Sequence, residues 1–240
     1  MTEARIPHIF VTGASRGIGA AALTALEAAG AKVCGHATEK SEKIAVGADL
    51  NKPGGGRRAW RAALGKLGGR IDVVVNNAGV YEALPLKTDE AEWLAQLKRT
   101  LRINLLASAE ISRLAVLHFQ EQGGGRIVNI ASRAAYRGDS PDHWHYAASK
   151  GAMVAMTKTI ARGYAAENIL AFAICPGFTM TGMADDYLES RGGEKLLADI
   201  PLGRVAQPEE IASMIAYCAL EAPASMTGAV LDANGASFVR

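Results

Sequence analysis

Tyr146 and Lys150 stand four residues apart in the run Tyr146-Ala147-Ala148-Ser149-Lys150, and Ser132 lies fourteen residues upstream. On a helix, a spacing of four makes two side chains neighbours on one face. An ammonium beside a phenol favours the phenolate, and so lowers a pKa that is otherwise about 10. Each unit of such a shift is roughly 1.4 kcal/mol, and a few units let a tyrosine exchange a proton near neutral pH. The spacing alone is common on exposed helix faces. It gains meaning only from the elements that position it.

Those elements alternate. Apolar runs at 8–12, 32–36, 71–76, 126–131, 170–175 and 229–232 read as strands, and 44–48 can be a further short one. Helical patterns follow the first strand as far as Ala29, then cover 90–122, 146–164 and about 208–220. Strands alternating with helices predict an α/β, doubly wound parallel sheet with helices on both faces. Between Thr38 and Asp49 there is little room for a crossover helix, so that connection should be abbreviated.

The first strand runs into Gly13-Ala14-Ser15-Arg16-Gly17-Ile18-Gly19 and then a helix. Glycines in this spacing let the backbone approach a pyrophosphate at a helix N-terminus. The same glycines could make a tight turn with no ligand. Gly13, Asn76, Ser132 and Pro176 all fall at the carboxyl ends of predicted strands, where such sheets bind ligands, and that convergence favours a dinucleotide. An NAD site normally has an acidic residue at the end of the second strand. Here that place holds Ala37 and then Thr38, while Arg16 offers a planar cation to a 2′-phosphate. The expectation is NADP(H) in preference to NAD(H). Glu39 pulls the other way, and Arg16 could equally be a solvated charge.

Composition excludes several classes. The 240 residues are 49% hydrophobic and 21% charged with a net charge of +2, which suits one large core and not a nucleic-acid binder. Arg57 and Arg58 read as the solvated start of a helix. Cys34, Cys175 and Cys218 are scattered and read as reduced core residues of a cytoplasmic protein. With His36, His143 and His145 they show no zinc-ligand spacing, so no metal is expected. There is no signal-like apolar segment near Met1 and no run of 18 apolar residues.

Taken in order, Thr12-Gly13-Ala14-Ser15-Arg16-Gly17-Ile18-Gly19, Asn76-Asn77-Ala78-Gly79, Asn104, Ser132, Tyr146-x-x-x-Lys150 and Pro176-Gly177 resemble the short-chain dehydrogenase/reductase family over about residues 9–236. Within it the likeness is greatest to 3-oxoacyl-acyl-carrier-protein reductases, whose second strand ends much as Gly35-His36-Ala37-Thr38 does, while Pro201–Ala212 resembles the family's segment leading into the last helix and says little about substrate. The resemblance implies a single-domain Rossmann fold over 1–240, a substrate lid at about 181–200 and a homotetramer, or a homodimer, built on the long helices. It implies reduction of a ketone to a secondary alcohol, or the reverse, on a small molecule. Tyr146 would be the general acid or base, Ser132 would hold the substrate oxygen, and Lys150 would hold the ribose and lower the pKa of Tyr146. Asn104 would anchor a relay water. Asp49 and Leu50 match adenine contacts, Asn76, Ala78 and Gly79 the ribose region, and Pro176, Gly177, Phe178, Thr179 and Thr181 the nicotinamide segment.

The loop Asp139-Ser140-Pro141-Asp142-His143-Trp144-His145 is polar and aromatic beside Tyr146, and Tyr81 and Glu82 can reach the same place. It reads either as a pocket for a polar substrate or as a surface loop whose Trp144 packs on the domain. Substrates left open are 3-oxoacyl thioesters and sugars, polyols or cyclic alcohols. Acidic residues in the lid argue mildly against a strongly anionic one. A cofactor-binding regulator without catalysis is the remaining reading, and an intact Ser132, Tyr146, Lys150 and Asn104 speaks against it.

Overall fold

The structure is a computed structural model that describes residues 5–181 and 197–240. Strands β1 (His8–Val11), β2 (Lys32–Ala37), β3 (Val46–Gly47), β4 (Val73–Asn76), β5 (Gly125–Ile130), β6 (Ile169–Pro176) and β7 (Val230–Ala233) form one sheet in the order β3-β2-β1-β4-β5-β6-β7. Every pairing is parallel. The order reverses between β1 and β4, and a crevice opens outside the carboxyl ends of strands at such a switch point.

Parallel strands covered on both faces must be apolar in both directions, and successive side chains point oppositely. Phe10, Val74, Ile127 and Ala171 meet helices α2 (Gly55–Lys66), α4 (Ala107–Gln122) and α6 (Trp144–Tyr164). Their neighbours Ile9, Val11, Val73, Val75, Val128, Ile130, Phe172 and Ile174 meet α1 (Gly17–Ala28) and α7 (Pro208–Ala216) on the other face. The doubly wound sheet is therefore as expected.

Four local features differ from or refine the reading of the sequence. The connection from β2 to β3 has no helix, and a bridge between Ser41 and Ile44 turns the chain instead. The long helix over 90–122 is interrupted: α3 (Glu90–Leu101) passes through a π turn at Arg102–Leu106 into α4. Asp89 starts it, its side chain accepting from the N–H groups of Ala91 and Glu92. Finally, α2 is a full twelve-residue helix burying Ala59, Trp60 and Ala63. The glycines at its start and its arginines hide that apolar face in the sequence. A short helix α5 (Ala134–Arg137) after Ser132 also has no clear signal in sequence. Of the expected lid, residues 182–196 lie outside the described residues.

Candidate active site

The glycine loop is fixed from three sides. Thr12 Oγ1 accepts the N–H groups of Asn77 and Ala78, both at 3.0 Å, and the Asn77 amide donates to the carbonyls of Thr12 and Gly13. Gly13 has φ +65°, and a Cβ there would lie 2.7 Å from the Ala78 main chain, so only glycine brings the two loops together. A Cβ on Gly19 would lie 2.1 Å from the Gly13 carbonyl. From the third side, His36 Nε2 meets the Ala48 carbonyl at 2.9 Å. With that nitrogen donating, Nδ1 accepts the Gly13 N–H at 3.4 Å. Burial lowers the pKa of His36 and keeps it neutral, as this arrangement requires.

Ser15 and Arg16 are exposed, with Arg16 at the start of α1. Thr181 reaches over the same loop, its methyl against Gly17. Ala37 and Thr38 end β2, and no carboxylate stands at Ala37. Asp49 and Leu50 follow β3, where Asp49 Oδ1 accepts the Asn51 N–H at 2.9 Å and Leu50 is buried. Asn76 is fully buried and donates to Ser112 and Asn129, which continues to Thr157. This ladder ties β4 and β5 to α4 and α6.

Next to this crevice, Ser132 lies two residues past the end of β5, and Tyr146 and Lys150 come from the first turns of α6. The Ser132 hydroxyl lies close enough to the Tyr146 side chain to draw its pKa down. Removal of water does more: Tyr146 keeps an edge at the surface, but its pKa is pushed up to about 12. The expected lowering by Lys150 is therefore not what the structure gives. Lys150 Nζ donates to the Ile130 carbonyl at 2.7 Å and lies 5.8 Å from the centre of the Tyr146 ring. It is 4% exposed, and burial lowers its pKa to about 8.

Asn104 sits in the π turn, fully buried. Its Oδ1 accepts the Val80 N–H at 2.8 Å, and its Nδ2 donates to the Val80 carbonyl at 3.0 Å and to Ser149 at 3.2 Å. A Cβ on Gly79 would lie 3.4 Å from Asn104 Oδ1 and 3.5 Å from Lys150 Nζ, so all three converge on one corner. Pro176, Gly177 and Phe178 leave β6 opposite, and Thr179 Oγ1 turns back to the Gly177 carbonyl at 3.3 Å.

The mouth is aromatic. Tyr81 stacks on His143 at 4.0 Å and meets the Tyr146 ring edge-on at 4.8 Å, while its hydroxyl donates to Asp139 at 3.2 Å. Trp144 is 53% exposed and leans on Trp93, and Glu82 pairs with Arg99. His145 is buried, and burial holds it neutral. The Glu82 main chain approaches its ring without a hydrogen bond of good geometry. Tyr81 and His143 stand beside Tyr146, while Trp144 packs on Trp93 at the surface, as one reading of the loop has it.

The site residues placed above thus lie along the carboxyl edge of the sheet. The sequence reading passed over Thr12, Asn77 and His36 as parts of the site. All three stood inside motifs already noticed, but the role of His36 carried no local signal, because its two partners, Gly13 and Ala48, come from distant loops. Among the described residues no cluster of His, Cys, Asp or Glu could hold a metal, and no helix is long and apolar enough to cross a membrane.

Comparison with known proteins agrees with this geometry. A family model described as Enoyl-(Acyl carrier protein) reductase matches residues 13–235. The 3-oxoacyl-[acyl-carrier-protein] reductase of Synechocystis is 34% identical over 252 residues, covering 98% of each chain. Among solved structures, a candidate NAD(P)-dependent gluconate 5-dehydrogenase from Beutenbergia cavernae, with NADP at low occupancy, superposes with a TM-score of 0.86 at 30% identity over 95% of each chain. The 3-ketoacyl-(acyl-carrier-protein) reductase of Brucella melitensis complexed with NADH gives 0.85 at 28% identity, covering 97% of this chain and 98% of that one.

Proposed function

Since the chain belongs to the short-chain dehydrogenase/reductase family and is an NAD(P)-dependent oxidoreductase of that kind, we propose that it reduces a ketone to a secondary alcohol, or the reverse, with NADP(H) preferred and Tyr146 as the proton donor. The observation that carries this is the convergence of Ser132, Tyr146 and Lys150 beside a glycine loop at the switch point of the sheet.

The residues present suit a nicotinamide dinucleotide. Lys150 is a buried ammonium whose partners are one carbonyl and the Met153 sulfur, which leaves donor capacity for a ribose hydroxyl. Arg16 is exposed on the loop, with no carboxylate at Ala37 to repel a 2′-phosphate. Gly13, Ser15, Arg16, Gly17, Ile18, Gly19 and Thr38 would hold the phosphates, Asp49 and Leu50 the adenine, and Asn76, Ala78, Gly79, Tyr146 and Lys150 the ribose side. Pro176, Gly177, Phe178, Thr179 and Thr181 would flank the nicotinamide. The bound cofactor supplies the hydride.

The protein's own work is positioning and proton delivery. Ser132 holds the carbonyl oxygen as charge gathers on it. Tyr146, held as a phenol by burial, gives that oxygen its proton. The Lys150 ammonium stabilises the phenolate left behind, and Asn104 anchors a water that returns the proton from solvent. Three buried free cysteines fit a reducing cytoplasm. The whole chain would act as one domain, closed by a lid over about 181–200, in a homotetramer or homodimer.

Steady-state kinetics with both cofactors test the cofactor assignment. NADPH should give the higher kcat/KM, and Arg16→Ala should raise the KM for NADPH about tenfold while leaving that for NADH nearly unchanged. A preference for NADH in the unaltered protein would refute it.

A further inference from the structure

We propose that Arg133 selects the substrate by holding a free carboxylate, so that the ketone reduced is an oxo acid and not a thioester. This rests on the carbonyl-reductase reading above and adds the chemical class of its substrate.

Arg133 follows Ser132 directly, and its N–H donates to the Pro176 carbonyl at 2.9 Å, which pins it between two walls of the site. Its guanidinium lies 4.9 Å over the ring of Phe178, on the nicotinamide segment. The carboxylate of Asp139, which accepts from the Tyr81 hydroxyl on the aromatic wall next to Tyr146, is near enough for its charge to be felt at Arg133. The cation is thus held next in sequence to Ser132 and against the nicotinamide segment, and its side chain is only 11% exposed.

Among the described residues its hydrogen bonding is unfilled. A guanidinium has five N–H donors in a planar fork. Among the described residues, the contact that the Arg133 side chain makes with an acid is a single one of 3.5 Å to Asp199. That carboxylate already belongs to Arg137, which grips both of its oxygens at 2.5 and 3.1 Å. Asp139 is likewise engaged, accepting from the Tyr81 hydroxyl and the Ser140 N–H. A desolvated cation without a good partner is costly. A carboxylate matches its fork in two parallel bonds. A thioester has no charge to offer, and in that place it would leave the cation unpaired; this is the situation in which a site discriminates strongly.

The test compares acids with their neutral esters. The NADP-loaded protein is assayed with 3-oxobutanoate and 4-oxopentanoate and with the methyl ester of each. At least one acid should exceed its ester in kcat/KM by about tenfold or more, and Arg133→Gln should collapse that ratio to about one, with Arg133→Lys restoring part of it. Binding followed through the fluorescence of Trp93 and Trp144 should show the same preference without turnover. Esters favoured over acids in the unaltered protein overturn the proposal, whether or not Arg133→Gln folds. So does an acid preference that survives Arg133→Gln. Acids that bind by this pattern with neither acid nor ester reduced would instead refute the carbonyl-reductase reading and leave the carboxylate site standing.

Discussion

The hydroxyl of Tyr146 must hold its proton until a carbonyl arrives and then release it, and two neighbouring groups set these demands. Burial raises its pKa to about 12, which keeps the acid form loaded at neutral pH. Lys150, itself lowered to about 8, is the cation available when the proton leaves. Oxidation needs the phenolate, so its kcat/KM should climb with pH between 6 and 8, while reduction should not; a flat profile for oxidation would contradict Tyr146 as the base. Tyr146→Phe should lower kcat by about 10²–10⁴-fold with the fold intact. Lys150 also has a stability cost with a definite sign. Its folded pKa lies below its unfolded value, so the unfolded chain binds the extra proton between about 8 and 10.5, and stability rises with pH across that window. Lys150→Met should therefore be more stable at pH 7, by up to roughly 3 kcal/mol, yet inactive, and its advantage should shrink towards pH 10. Urea unfolding at the two pH values reads this directly. The pairing of Tyr146 with Lys150 was legible from their spacing. The direction of the tyrosine shift was not, because desolvation depends on what covers the ring and no spacing reports that.

The elements that hold these residues differ in how openly the sequence displays them. Strands such as Val73–Asn76 are plain, because a parallel strand buried on both faces is continuously apolar. The missing crossover helix before β3 was legible as a shortage of residues. Helix α2 was legible only at its start, where Arg57 and Arg58 are exposed, since its apolar face is small and it opens on glycine. The π turn was hidden as well: it adds one residue to a helix whose apolar pattern looks unbroken. That turn matters to the site, because π turns re-aim side chains, and here Asn104 satisfies both main-chain groups of Val80. Asn104→Ala should cost about 1–3 kcal/mol by leaving those groups unpaired. It should lower kcat further than that loss of stability explains, because Val80 follows the Gly79 corner. His36 presents a comparable case on the cofactor side. Its folded pKa lies below the ordinary 6.5, so the unfolded state takes up the proton first and stability falls as pH drops below about 6.5. His36→Gln keeps a donor for Ala48 but cannot titrate, and its Tm should change less than that of the unaltered protein between pH 7.5 and 5. An unchanged pH dependence would mean that another group is responsible.

At the scale of the molecule, the same π turn has an effect on the outer surface. Leu94, Leu106 and Leu117 are large, exposed apolar side chains along α3, the turn and α4. Leu106 and Leu117 are eleven residues apart, about three turns of 3.6, and so share a face. Leu94 and Leu106 are twelve apart, which would place them well out of line on a regular helix. The one extra residue accommodated by the π turn reduces that separation to eleven helical steps and brings Leu94 into the same stripe. On α6, Ala148 and Ala155 present small exposed side chains that allow a second helix to approach closely. A row of leucines facing water is better explained by a partner than by chance, and the long helices are where the proposed homotetramer or homodimer would form. Light scattering at micromolar concentration should give the mass of a dimer or tetramer. Leu106→Glu sets a charge in the middle of the stripe without touching the core and should lower that mass, with the circular dichroism of the subunit unchanged. A monomer in the unaltered protein would refute the assembly, and an oligomer indifferent to Leu106→Glu would move the interface to another face.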